Sequence, residues 1–99
     1  MQIIYEYHDV TASDRLENIS KEKLDRLQEK FDFVHRVDVF FKTQNRTDDN
    51  EQICEIRLSM PGPRLFASTN AKTFEAAISE TIRDLEDQLR KQKNKMGAR

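Results

Sequence analysis

Ninety-nine residues, 36% apolar and 35% charged, suffice for one core and exclude both a disordered chain and a multidomain one. A formal net charge of −1 excludes polyanion binding through overall charge, so any such binding must come from a local patch. A single cysteine, Cys54, excludes an intrachain disulfide and a cysteine-based metal site, and fits a reducing, cytoplasmic setting.

The start, "MQIIYEYHDV", has neither the basic opening nor the long apolar run of a signal peptide. No stretch is apolar enough for a membrane span. "QIIYEYH" is rich in β-branched and aromatic residues and predicts a strand over about 2–8, with Ile3, Tyr5 and Tyr7 on one face. "TASD" then offers Thr11 as a helix N-cap, with Asp14 in the position of a capping-box acid. Leu16, Ile19, Leu24, Leu27 and Phe31 follow at helical spacing and predict a helix over about 12–31.

"RVDVFFKTQ" alternates, with Val37, Val39 and Phe41 on one face and Asp38, Phe40 and Lys42 on the other, which predicts a half-buried strand over about 36–44. Residues 45–50, "NRTDDN", read as a polar turn. "QICEIRLSM" alternates again, with Cys54, Ile56, Leu58 and Met60 inward. "PGP" at 61–63 forces a tight turn, and "RLFAST" predicts a fourth strand over about 64–70. Phe74, Ala77, Ile78, Ile82, Leu85 and Leu89, with Thr81 beside them, form the apolar stripe of a helix over about 73–94 that ends before Gly97. The order β-α-β-β-β-α predicts an α+β, two-layer domain spanning residues 1–99, with a four-stranded sheet, two helices on one of its faces, and residues 95–99 as a flexible tail.

Catalytic signals are thin. Cys54 falls on the inner face of a central strand, where a thiol is inert, and His8 and His35 fall at strand ends. No nucleophile, base and orienting group assemble, so the chain is not expected to be an enzyme. Two glycines cannot build a phosphate loop, and Asp48, Asp49 and Glu51 lack the glycine and spacing of a calcium loop. Neither a metal, a cofactor nor a small-molecule substrate is expected.

The basic residues carry more information. Residues 1–82 hold 11 basic and 15 acidic side chains, whereas residues 83–99 hold 6 basic and 3 acidic. Turning 100° per residue, the last helix puts Arg83, Arg90 and Lys93 on one flank of its apolar stripe and Lys91 and Lys95 on the other. On the first helix Lys23, Arg26 and Lys30 are spaced three and four apart and cluster. Helices packed side by side would join these sets into a basic strip suited to phosphate backbones. Ordinary helix design also accounts for part of the pattern. Glu86 precedes Arg90 by four and Asp87 precedes Lys91 by four, and cations near a helix C-terminus suit its dipole.

Taken in order, "EKLDRLQEKFDFVHRVDVFFKTQ", "CEIRLSMPGPRLFAST" and "KTFEAAISETIRDLEDQLRKQKNK" resemble the ribosome hibernation-promoting factor family, also called protein Y, ribosome-associated inhibitor or ribosomal subunit interface protein. The resemblance covers nearly the whole chain. It implies a double-stranded-RNA-binding-domain-like fold and a non-catalytic protein of the cytoplasm. That protein would bind the small ribosomal subunit and its ribosomal RNA in the channel used by messenger and transfer RNA, inhibit translation and protect idle ribosomes. It leaves open whether a helper protein joins such ribosomes into dimers. By position Lys23, Arg26, Lys42, Lys91, Lys93 and Lys95 match basic family positions. With Lys30, Arg83 and Arg90 from the helix geometry, they form the expected ribosomal-RNA contacts. Asp84 and Asp87 stand where basic residues are usual, which raises an alternative: a diverged member acting as a protein-interaction module without RNA binding. Ending at residue 99, the chain resembles the short form, which lacks a C-terminal dimerisation domain.

Overall fold

A computed structural model of the protein describes residues 1–45 and 50–97. The elements are β1 (Gln2–His8), α1 (Asp14–Lys30), β2 (Arg36–Asn45), β3 (Asn50–Ser59), β4 (Leu65–Ala71) and α2 (Phe74–Gly97), and the sheet order is β1-β2-β3-β4. β1 and β2 run parallel, as the α1 crossover requires, and β2–β3 and β3–β4 are antiparallel hairpin pairs. The order β-α-β-β-β-α is the one the sequence predicts. The turn expected at 45–50, with Asp48 and Asp49, falls mainly outside the described residues.

Strand alternation sorts the side chains between two faces. Val37, Val39 and Phe41 of β2 and Cys54, Ile56 and Leu58 of β3 are fully buried under the helices. Ile3, Tyr5 and Tyr7 sit beside them, in register with Val37, Val39 and Phe41. Phe41 is the hub: Tyr5 stacks on it at 6.4 Å, Tyr7 packs tilted against it at 5.3 Å, and Phe74 meets it edge-on at 5.5 Å. From the helices come Leu16, Leu24 and Leu27, and Ala77, Ile78, Ile82, Leu85 and Leu89. Each buried leucine or isoleucine contributes about 1.5–3 kcal/mol of transfer free energy. Thr81, also buried, donates to the Ala77 and Cys54 carbonyls at 2.7 and 3.2 Å, which docks α2 onto β3.

Two boundaries differ from the sequence reading. Ser13, rather than Thr11, caps α1: its backbone is extended, its Oγ accepts from the Leu16 amide at 3.2 Å, and its carbonyl accepts from Glu17. The capping-box role expected of Asp14 is therefore absent; Asp14 is the first helical residue, where its charge suits the helix dipole. The later start follows from the turn out of β1. Asp9 takes a left-handed backbone (φ 57°), and the Tyr7 hydroxyl then reaches Glu17 on the first turn. At the other end α2 runs through Gly97, beyond the predicted stop and through the first part of the expected tail. The "PGP" turn forms as predicted, with Gly62 at φ 107°, a conformation that suits a residue without Cβ.

Candidate nucleic-acid interface

The two helices lie side by side and run in the same direction. Arg15 of α1 pairs with Glu75 of α2 at 2.8 Å near their starts, and Lys30 pairs with Glu86 at 3.4 Å near the end of α1. Between them runs a groove of 330 Å³ floored by Leu27 and Ile82. Its walls bear Lys23, Arg26 and Lys30 from one helix and Arg83 from the other. The spacing of three and four residues along α1 thus produces the cluster the sequence predicts, and α2 completes it. Arg26 is held by Glu22 one turn away at 2.8 Å. Among the described residues no ion pair engages Lys23 or Arg83.

The rest of the basic set is distributed along α2. Lys93 lies over the Phe31 ring, 5.7 Å from its centroid, at the end of α1. Arg90 pairs with Glu86 at 2.6 Å and with Asp87 at 3.5 Å. Lys91 and Lys95 are exposed beyond Leu89. Lys42 does not join them. It projects from the opposite face of the sheet, in a pair with Glu55 at 2.7 Å, because alternation from the buried Phe41 turns it away from the helices.

The acid that enters the groove is Glu86, which sequence reasoning treats only as a helix partner of Arg90. Its two carboxylate oxygens hold Lys30 and Arg90, one cation from each helix. The sole signal for it is the four-residue spacing to Arg90; contact with Lys30, 56 positions away, appears only on folding. Asp87 pairs with Arg90 rather than with Lys91 as its spacing suggests. Asp84 and Asp87 are exposed and do not line the groove.

The Cys54 thiol is fully buried, and burial pushes its pKa up to about 12, which leaves it un-ionised at neutral pH. His8 and His35 are exposed; His8 lies two strands from Cys54, and alternation from the inward Tyr7 puts it on the opposite face of the sheet. Among the described residues no three metal-ligating side chains gather, and no helix is long and apolar enough to cross a membrane.

Comparison with known proteins agrees with this architecture. The solved structure of a ribosomal subunit interface protein from Coxiella burnetii is similar over 94% of this chain and 98% of that one, at 24% identity and a TM-score of 0.83. The crystal structure of the N-terminal domain of Protein Y from Thermus thermophilus is similar over 92% of this chain and 98% of that one, at 21% identity and a TM-score of 0.80. At such identities the likeness establishes the α+β fold. No curated protein matches the chain. The family model described as Sigma 54 modulation protein / S30EA ribosomal protein matches residues 3–97, from the second residue of β1 to the end of α2. The chain therefore belongs to this family of ribosome-associated proteins, the one its ordered motifs resemble.

Proposed function

We propose that the protein binds the small ribosomal subunit through ribosomal RNA of the messenger and transfer RNA channel, inhibits translation and stabilises idle ribosomes in the cytoplasm. The observation that carries this reading is the convergence of Lys23, Arg26, Lys30 and Arg83 on one groove between the two helices. A phosphate backbone laid along it would meet ammonium and guanidinium donors on both walls and form charge-assisted hydrogen bonds. Arg90, Lys91, Lys93 and Lys95 would extend the contact along the outer turns of α2, and Lys42 would be a separate contact from the sheet. Inhibition needs no reaction, because a rigid domain in the channel excludes the RNAs that use it. The reading calls on no cofactor, metal or small-molecule substrate, and it leaves room for a helper protein that joins such ribosomes into dimers.

Co-sedimentation with isolated subunits at low and physiological salt tests the reading. Binding to the small subunit that weakens with salt and is lost in a Lys23→Ala, Arg26→Ala, Arg83→Ala triple variant, together with inhibition of a cell-free translation reaction, is the expected result. Salt-insensitive binding, or binding that the triple variant retains, would overturn it.

One observation favours a second reading, a protein-interaction module without RNA binding. Exposed Asp84 and Asp87 share a helix with Glu86, which neutralises Lys30 in the groove and Arg90 beyond it. That reading expects no association with either subunit and capture of a basic partner that Asp84→Lys, Asp87→Lys abolishes.

A further inference from the structure

The face of the sheet opposite the helices carries a second cationic site. Cross-strand rows place Arg36 beside Ser59, Asp38 beside Arg57, and Arg57 beside Phe66. Asp38 is the organising group. Its side chain is only 6% exposed, yet it holds Arg36 through two contacts at 3.1 and 3.3 Å and Arg57 at 3.6 Å. Arg57 is also braced by the Phe40 ring, 5.8 Å from its centroid. With Ser59 and Arg64 these residues line a recess of 160 Å³. Two guanidiniums share this carboxylate and hold their places by it, and a third, that of Arg64, lines the same recess, which therefore has a surplus of positive charge. Pre-ordering of this kind reduces the entropy lost when an anion binds.

Phe66 indicates which anion. Its ring is 52% exposed, one strand across from Arg57, while its carbonyl accepts from Gln88 Nε2 at 3.1 Å, which fixes the backbone. A phosphate seated among the arginines would leave an attached base within reach of an open aromatic face. Stacking on such a face requires an unpaired base, hence a single strand. Glu6 and Glu55 occupy the next row of the same face and confine the positive field to this end of the sheet.

We propose that the recess formed by Arg36, Arg57, Ser59 and Arg64, with Phe66 beside it, binds a phosphate and its adjoining base in single-stranded RNA. The site is independent of the groove between the helices and takes a nucleotide or two rather than a long tract.

The test is amide mapping of the isotope-labelled full chain by NMR, titrated separately with inorganic phosphate, a phosphate-free nucleoside and a short single-stranded RNA carrying a terminal phosphate. Phosphate and RNA are expected to move Arg57, Ser59 and Arg64, and RNA alone also Phe66. Arg64→Ala weakens both ligands, and Phe66→Ala weakens RNA by about tenfold without affecting phosphate. Lys23→Ala, Arg83→Ala leaves these responses intact, which separates them from the helix groove. RNA binding no tighter than phosphate and indifferent to Phe66→Ala would overturn the nucleotide assignment. Silence of the recess toward both ligands would overturn the site. So would shifts that track protein concentration alone, which indicate a second copy, or tighter binding of an acidic peptide than of RNA.

Discussion

The Tyr7 hydroxyl donates to Glu17 Oε2 at 2.7 Å and ties β1 to the first turn of α1. Burial first, and then this hydrogen bond, push its pKa from 10.0 to about 12. The folded chain therefore favours the neutral phenol. The resulting stabilisation is whole below pH 10, where folded and unfolded phenols are both protonated. It fades as pH rises toward about 12, because the unfolded phenol ionises first. Tyr7→Phe removes the hydroxyl and with it this dependence. Urea midpoints of the two proteins should differ by a constant amount below pH 10 and converge between pH 10 and about 12. The alkaline sensitivity that Cys54 and Tyr5 add is common to both proteins and cancels in the difference. A gap that stays constant through this window would show that the hydroxyl contributes nothing through its proton. Thr81 acts in the same way without titrating: one buried hydroxyl faces two carbonyls, and Thr81→Val should cost about 1 kcal/mol in thermal or denaturant unfolding.

At the scale of elements, the helix caps show what a local pattern can decide. "TASD" contains three residues able to cap a helix, Thr11, Ser13 and Asp14. Ser13 wins, because a helix that starts at Asp14 brings Glu17 under Tyr7 and Leu16 into the core. Ser13→Ala should therefore cost about 1 kcal/mol, and Thr11→Ala less than about 0.5; equal losses in chemical denaturation would point to a shared cap. The strands were more legible than the cap. Two-residue alternation needs only one buried face to be read, and Val37, Val39, Phe41, Cys54, Ile56 and Leu58 all fall on the face that alternation predicts. The end of α2 was less legible, since the contact that reaches the core there, Lys93 over the Phe31 ring, joins residues far apart in sequence. "RKQKNKM" contains mostly strong helix formers, which favour continuing the helix past Leu89.

For the whole molecule, the candidate interface was half legible. Spacing along one helix brings Lys23, Arg26 and Lys30 together, but only packing shows that Arg83 faces them, that Lys42 points elsewhere, and that Glu86 enters the groove. The family resemblance directs suspicion at Asp84 and Asp87, which look outward; the acid placed to oppose the proposed RNA binding is Glu86, whose carboxylate already holds Lys30 and Arg90. Glu86→Gln keeps the size of the side chain and removes its charge. Lys30 is released to phosphate and Arg90 keeps only its longer pair with Asp87, so affinity for the small subunit should rise at low salt. Its logarithmic salt dependence should steepen by about 0.7–0.9 for each cation newly engaged. The same change removes two ion pairs of the partly exposed kind, each worth about 0–1 kcal/mol, so the melting temperature should fall slightly while binding improves. Opposite signs in the two measurements distinguish this account from a general effect on folding, which would lower both. If binding and its salt slope are unchanged in Glu86→Gln while Lys23→Ala weakens them, phosphates reach only the end of the groove near Lys23 and Arg83, and the turns from Glu86 onward lie outside the contact.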